Sequence, residues 1–148
     1  MNIPRIGWSV VSVMGLLVIS GCGSSKEQQS RDAYNRGAAH ERKGDFDKAI
    51  ADYTEAISHN PDIAGAYFSR GLLYARHKGD YDKAIADCNE VIRLDPTLTE
   101  AYNNRGNAYY CSGQYDKAWA DVETCQRLGG TVDEEFLAEL RKASGREK

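Results

Sequence analysis

The sequence predicts an all-α fold: a short solenoid of three helix pairs closed by a capping helix. Three observations predict it. A nine-residue segment recurs as Gly44-Asp45-Phe46-Asp47-Lys48-Ala49-Ile50-Ala51-Asp52, Gly79-Asp80-Tyr81-Asp82-Lys83-Ala84-Ile85-Ala86-Asp87 and Gly113-Gln114-Tyr115-Asp116-Lys117-Ala118-Trp119-Ala120-Asp121. A block ending in Arg-Gly precedes each copy: Tyr34-Asn35-Arg36-Gly37, Phe68-Ser69-Arg70-Gly71 and Asn103-Asn104-Arg105-Gly106. The glycines closing those blocks lie 34 and 35 residues apart. A fixed period of this length marks an array of stacked supersecondary units.

Composition agrees with a folded domain. The chain has 148 residues, 28% charged and 41% hydrophobic, which excludes a disordered acidic tail. A mean hydropathy of -0.60 excludes a polytopic membrane protein. The net charge of -3 offers no broad basic field for nucleic acid.

Residues 1–21 read as an export signal. Arg5 supplies a positive start, and the apolar run from Trp8 to Ile19 is 12 residues long. That suits a signal core and falls short of the ~20 residues of a membrane span. The run ends in Ile19-Ser20-Gly21-Cys22, which resembles a bacterial lipobox. The resemblance implies cleavage before Cys22 and lipidation of its thiol. Several acyl chains on one residue anchor stably, whereas one alone binds marginally. Gly23, where sorting to the inner membrane favours Asp, implies the outer membrane of a two-membrane cell. Removal of the signal takes one basic residue and no acid, so the net charge moves from -3 to -4. Residues 22–29 are small and polar and read as a flexible, lipidated tether.

The three units are expected at 30–63, 64–98 and 99–132. In each, two amphipathic helices meet at a turn placed at Gly44, Gly79 or Gly113. Asp beside the turn is an expected N-cap. Gly37, Gly71 and Gly106 let the paired helix approach, and Ala49, Ala84 and Ala118 do so from the other side. Pro61 and Pro96 end the first two units, because Pro lacks the N–H a helix interior needs. One extra residue near His77-Lys78 implies a longer turn in unit two. Residues 133–148 form the capping helix and tail. Its apolar side carries Phe136, Leu137 and Leu140, its start is a Thr131–Glu134 capping box, and Gly145 stops it.

This pattern resembles the tetratricopeptide repeat family over most of the chain beyond the signal. Two departures stand out. Ala33 and His40 occupy places where the family more often has larger apolar or aromatic residues, so a loosely packed first helix is expected. Gly130 stands where a closing Pro is expected. The resemblance implies a curved solenoid whose first helices line a concave, peptide-binding groove. The groove candidates are Arg31, Tyr34, Asn35 and Arg42 from unit one, with Ala38 and Glu41 beside them. Unit two adds Phe68, Ser69, Leu72 and Arg76, with Ala75. Unit three adds Asn103, Asn104, Asn107 and Tyr110, with Glu100 and Cys111. Asn35, Ser69 and Asn104 recur at matching places. In some members Asn there forms a ladder along the peptide backbone, which here would be interrupted at Ser69. Members that clamp a carboxyl-terminal Glu-Glu-Val-Asp tail use Lys, Asn and Arg. The matching positions here, Tyr34, Ala38, Ser69, Glu100 and Asn104, supply no cation.

Arg36, Arg70 and Arg105 recur with Asp52, Asp87 and Asp121. The set reads as pairs tying the helices of each unit together, against the alternative of a basic stripe for an acidic ligand. Cys88, Cys111 and Cys125 read as free, buried thiols, since Cys111 lies near the turn of unit three and Cys125 near the far end of that unit's second helix, too far apart to bridge. His40, His59 and His77 show no metal-ligand spacing. There is no phosphate loop and no nucleophile elbow. No cofactor, metal, small-molecule substrate or catalytic activity is expected. The expected function is a lipid-anchored scaffold or adaptor of the bacterial cell envelope, facing the periplasm. It would hold an envelope protein or peptide in its groove, with pilotin-like or cell-wall-hydrolase-adaptor-like roles as versions. The alternative is a self-associating structural subunit without groove function.

Overall fold

The computed structural model describes residues 21–146. Residues 1–20 of the expected export signal, and the lipid expected on the Cys22 side chain, lie outside what it describes. Seven α-helices follow in order: α1 Gly21–Arg42, α2 Phe46–His59, α3 Ala64–Leu73, α4 Tyr81–Leu94, α5 Thr99–Cys111, α6 Tyr115–Arg127 and α7 Glu134–Ser144. Each pairs with its neighbour in sequence, so the molecule grows along one axis. Among the described residues no helix is long and apolar enough to cross a membrane.

α1 begins at Gly21, so the segment expected as an irregular tether is helical. Lys26, Glu27, Gln28 and Gln29 are good helix formers, and the Gln28 amide donates to Asp32 one turn on at 2.8 Å. Small, polar composition alone does not break a helix that a packed segment continues.

The helix pairs turn at Gly44, Gly79 and Gly113, with φ of 80°, 63° and 76°. Only glycine takes this left-handed region freely. The expected Asp cap holds in unit two, where Asp80 accepts from the Lys83 amide at 3.2 Å. In unit one Asp45 instead receives the Lys48 ammonium, at 3.2 Å. Asn60 and Asp95 fold the inter-unit loops around the prolines, accepting from the Asp62 and Thr97 amides, each at 3.0 Å.

The extra residue of unit two appears as a π-helical turn, Tyr74–Lys78, closing α3. A one-residue insertion is the usual origin of such a turn. It swings His77 onto Phe46, with ring centroids 3.5 Å apart, and sets Lys78 against Asp47. The insertion therefore clips unit two to the start of α2.

The Arg–Asp pairs form in all three units. Arg36 meets Asp52 at 2.6 Å, Arg70 meets Asp87 at 2.7 Å, and Arg105 meets Asp121 at 2.6 Å. They tie first helix to second as the sequence reading favoured.

Loose packing in unit one is not found. Ala33 is fully buried, and Tyr53, at the position of Cys88 and Val122 in later units, is 1% exposed. The Tyr53 ring on α2 lies directly against Gly37 of α1 and shares one buried cluster with Ala33. The capping box at Thr131 is also not formed. Asp133 caps α7, accepting from the Glu135 and Phe136 amides at 2.9 and 3.0 Å, because the closer side chain reaches the free N–H groups. Gly145, with φ of 70°, ends α7 as expected.

Candidate functional site

The first helices of the pairs, α1, α3 and α5, contribute to two cavities: the wider is reached by all three, and the narrower lies between α3, α4 and α5. Phe68 belongs to both. Its position on α3 is set by Gly71, where an added Cβ would stand 3.1 Å from the Asp87 Cβ on α4. The close α3–α4 contact, with Arg70 locked on Asp87, fixes how α3 presents the ring.

The wider cavity is about 360 Å³ and lies between Tyr34 on α1 and Leu98 at the start of α5. Ala64, Gly65 and Val91 give it an apolar wall. Ser69 and Glu100 supply the polar atoms at its margin. Tyr34 is held from behind by Tyr53, at a centroid separation of 5.5 Å. Glu100 is exposed, and its one side-chain hydrogen bond among the described residues comes from the Thr99 hydroxyl at 3.1 Å.

The narrower cavity is about 90 Å³ and more enclosed. Leu72, Ala75 and Arg76 line it from the α3 side, and Asn104, Asn107 and Ala108 from α5. Cys88 forms part of its wall, and burial pushes that thiol up to about 12. Such a group stays protonated and acts as a small apolar surface.

The expected groove residues divide into two sets. Tyr34, Phe68, Ser69, Leu72, Arg76, Asn104 and Asn107 come together at the two cavities. Arg31, Asn35, Arg42 and Asn103 line neither. Tyr110 packs against the cap instead, with its ring 5.6 Å from Phe136 and 5.9 Å from Tyr115. Glu41 accepts from the buried Tyr53 hydroxyl at 2.6 Å and is committed to unit one. Asn35 is exposed while Ser69 and Asn104 stand at different cavities, so the three do not share one cleft.

Sequence reasoning missed Leu98, Gly65 and Val91. Leu98 and Ile63 follow the two prolines at the same offset, which is the signal that could have found Leu98. Val91 belongs to a second helix and reaches the cavity between first helices. The three cysteines are free, and Cys88 and Cys125 are buried, but Cys111 is exposed, contrary to expectation. It closes α5 beside the turn, with its Sγ 3.6 Å from the Asn107 side-chain oxygen one turn back. Among the described residues no group of three His, Cys, Asp or Glu stands close enough to hold a metal.

A sequence profile described as tetratricopeptide repeat matches residues 34–98, and a second of the same description matches 88–120. Together they run from 34 to 120, more than half of the chain. No curated protein matches the sequence. Among solved structures the chain is similar to the first TPR of Spaghetti (RPAP3) bound to the HSP90 peptide SRMEEVD. Identity is 28% and TM-score 0.70, covering 80% of this chain and 93% of that one. It is also similar to the Arabidopsis OM64 TPR domain, at 23% identity and TM-score 0.71, covering 82% and 98%. The yeast Sti1 TPR2B domain in complex with pHsp70 matches at 24% identity and TM-score 0.67, covering 82% and 99%. The last two likenesses show the fold alone.

Proposed function

The chain belongs to the tetratricopeptide repeat family, and on that premise we propose that it is a membrane-anchored adaptor of the bacterial cell envelope. It acts by holding a segment of a partner protein, not by catalysis. The observation that carries this reading is Phe68 standing between two cavities on the face built by α1, α3 and α5. A pair of preformed hollows about one aromatic ring accepts side chains of a bound segment without prior rearrangement, which keeps the ordering cost low.

The likeness to a domain solved with an HSP90 peptide supports a peptide in this groove. It does not carry over that peptide's sequence. Tyr34, Ala38, Ser69, Glu100 and Asn104 stand where the family's tail clamp places Lys, Asn and Arg. The partner here is accordingly a different segment, belonging to an envelope protein.

The anchor rests on Ile19-Ser20-Gly21-Cys22. A lipid on Cys22 joins the start of α1 directly, and α1 is itself part of the groove wall. Membrane and groove are thus linked through one helix, with the outer membrane, periplasmic face, as the proposed site.

Affinity capture from envelope extract tests the adaptor, with Phe68→Ala as the paired variant. A partner enriched by the wild type and lost by a folded Phe68→Ala protein supports groove binding. Recovery of only further copies of this chain supports the structural-subunit reading instead. Fractionation tests the anchor: Cys22→Ser should move the protein from membrane to soluble fraction, and a variant that stays membrane-bound overturns the lipid anchor.

A further inference from the structure

Resting on the groove reading above, we propose that the wider cavity selects a peptide carrying an aliphatic side chain next to a lysine or arginine. The cavity is walled by Tyr34, Phe68, Val91 and Leu98, which suits an aliphatic group. Its margin bears one charged group, Glu100, and that carboxylate is exposed and without an ion-pair partner among the described residues. No cation lines this cavity. An anion at its mouth meets Glu100 as a like charge, whereas a Lys or Arg can lay its alkyl stem on the apolar wall and its head on the carboxylate.

A charge of the opposite sign, Arg76, lines the narrower cavity, which shares Phe68 with the wider one. Its side chain is also exposed and has no ion pair among the described residues. The two cavities therefore differ in the sign of the charge at their margins. The wider one is the larger of the two, so it sets the preference for the basic residue.

The test uses two fluorescent octapeptides, Gly-Ser-Lys-Leu-Leu-Lys-Ser-Gly and the same sequence with Glu replacing both Lys. Anisotropy titrations run at 0.1 M salt, with the whole chain as wild type, Glu100→Lys, Phe68→Ala and Glu134→Lys. The wild type should bind the Lys peptide about fivefold or more tightly than the Glu peptide. Glu100→Lys should abolish or invert that ratio. Glu134→Lys changes the net charge equally but lies on α7, and it should leave the ratio unchanged. A ratio that Glu100→Lys does not change, or that Glu134→Lys changes as much, overturns the proposal while leaving the groove standing. Binding that survives in a folded Phe68→Ala protein, or no binding of either peptide, overturns the groove reading and the proposal with it.

Discussion

Arg105 reaches across the boundary between repeats: its Nη1 donates to Asn89 at 2.7 Å while Nε and Nη2 hold Asp121 at 2.8 and 2.6 Å. Asn89 belongs to α4 of unit two and Asp121 to α6 of unit three. One guanidinium thus closes a unit and joins it to the previous one. Arg70 does the same with Asp87 and Thr54. Arg36, in the first of the described units, turns to Glu55 of its own unit. At the other end the capping helix packs apolar side chains instead, with Leu140 fully buried in one cluster with Ala118 and Val122.

Removing a partner from these pairs leaves a buried carboxylate uncompensated, which is strongly destabilising. Arg70→Ala and Arg105→Ala should each lower unfolding free energy by about 3 kcal/mol, read by urea denaturation. Arg36 is 47% exposed and its loss should be clearly the smallest of the three. Arg70→Ala protein kept below its melting range should still bind the groove peptide. Unchanged stability with lost binding would return these arginines to a ligand-binding role.

A Cβ at Gly37 would stand 2.9 Å from two ring carbons of the buried Tyr53, so the ring or the helix must shift. Gly37→Ala should destabilise by about 1–3 kcal/mol. At Gly65 the nearest atoms are Tyr34 ring atoms at 3.5 Å, an ordinary contact. Gly65→Ala should keep or raise the melting temperature, since alanine favours helix. Because Gly65 lines the wider cavity, the same change should weaken peptide binding. Equal effects of both variants on melting would show that the α1–α2 approach is not tight.

The repeat, its turns and the Arg–Asp ties were legible because identical local solutions recur, and recurrence separates signal from chance. What stayed hidden depends on single events. The π-helical turn follows from one inserted residue, visible as a count but not as a geometry. The tight packing of Ala33 and Tyr53 in one cluster joins two helices, and no pattern along either predicts it. Asp133 displaced Thr131 as cap because helix starts are settled within one or two residues by the loop's direction. The groove was half legible: Phe68 followed from helical spacing, whereas Tyr110 was drawn away by the cap on α7, an element outside the repeat.

Burial should make the cysteines unequal. Cys88 is pushed up to about 12 by desolvation, and burial also raises Cys125. The Cys88 thiol is therefore far less ionised at neutral pH than a free thiol near ~8.5, and so less nucleophilic. Alkylation of the folded protein, mapped by mass spectrometry, should modify the exposed Cys111 first and leave Cys88 and Cys125 until denaturant is added. Modification of Cys88 as fast as Cys111 would mean that the narrower cavity opens readily to solvent.

The N-cap of α4 predicts an acid-sensitive step. The Lys83 ammonium, followed by the Lys83 backbone N–H, holds the Asp80 carboxyl below its ordinary value. A folded-state value below the unfolded one means that the unfolded chain binds the proton first as pH falls. The contribution of the cap is therefore complete above the unfolded value of ~3.9 and is lost as pH drops through the lower folded value. Asp45, held low by Lys48, and Asp95, held low by the Thr97 hydroxyl, act in the same direction. Urea midpoints should accordingly change little from these groups between about pH 7 and pH 5, then fall below about pH 4. Asp80→Ala should start less stable at neutral pH and lose less on acidification, so that its curve approaches the wild type by about pH 2. Parallel curves would show that the Asp80 carboxylate does not cap α4 in solution.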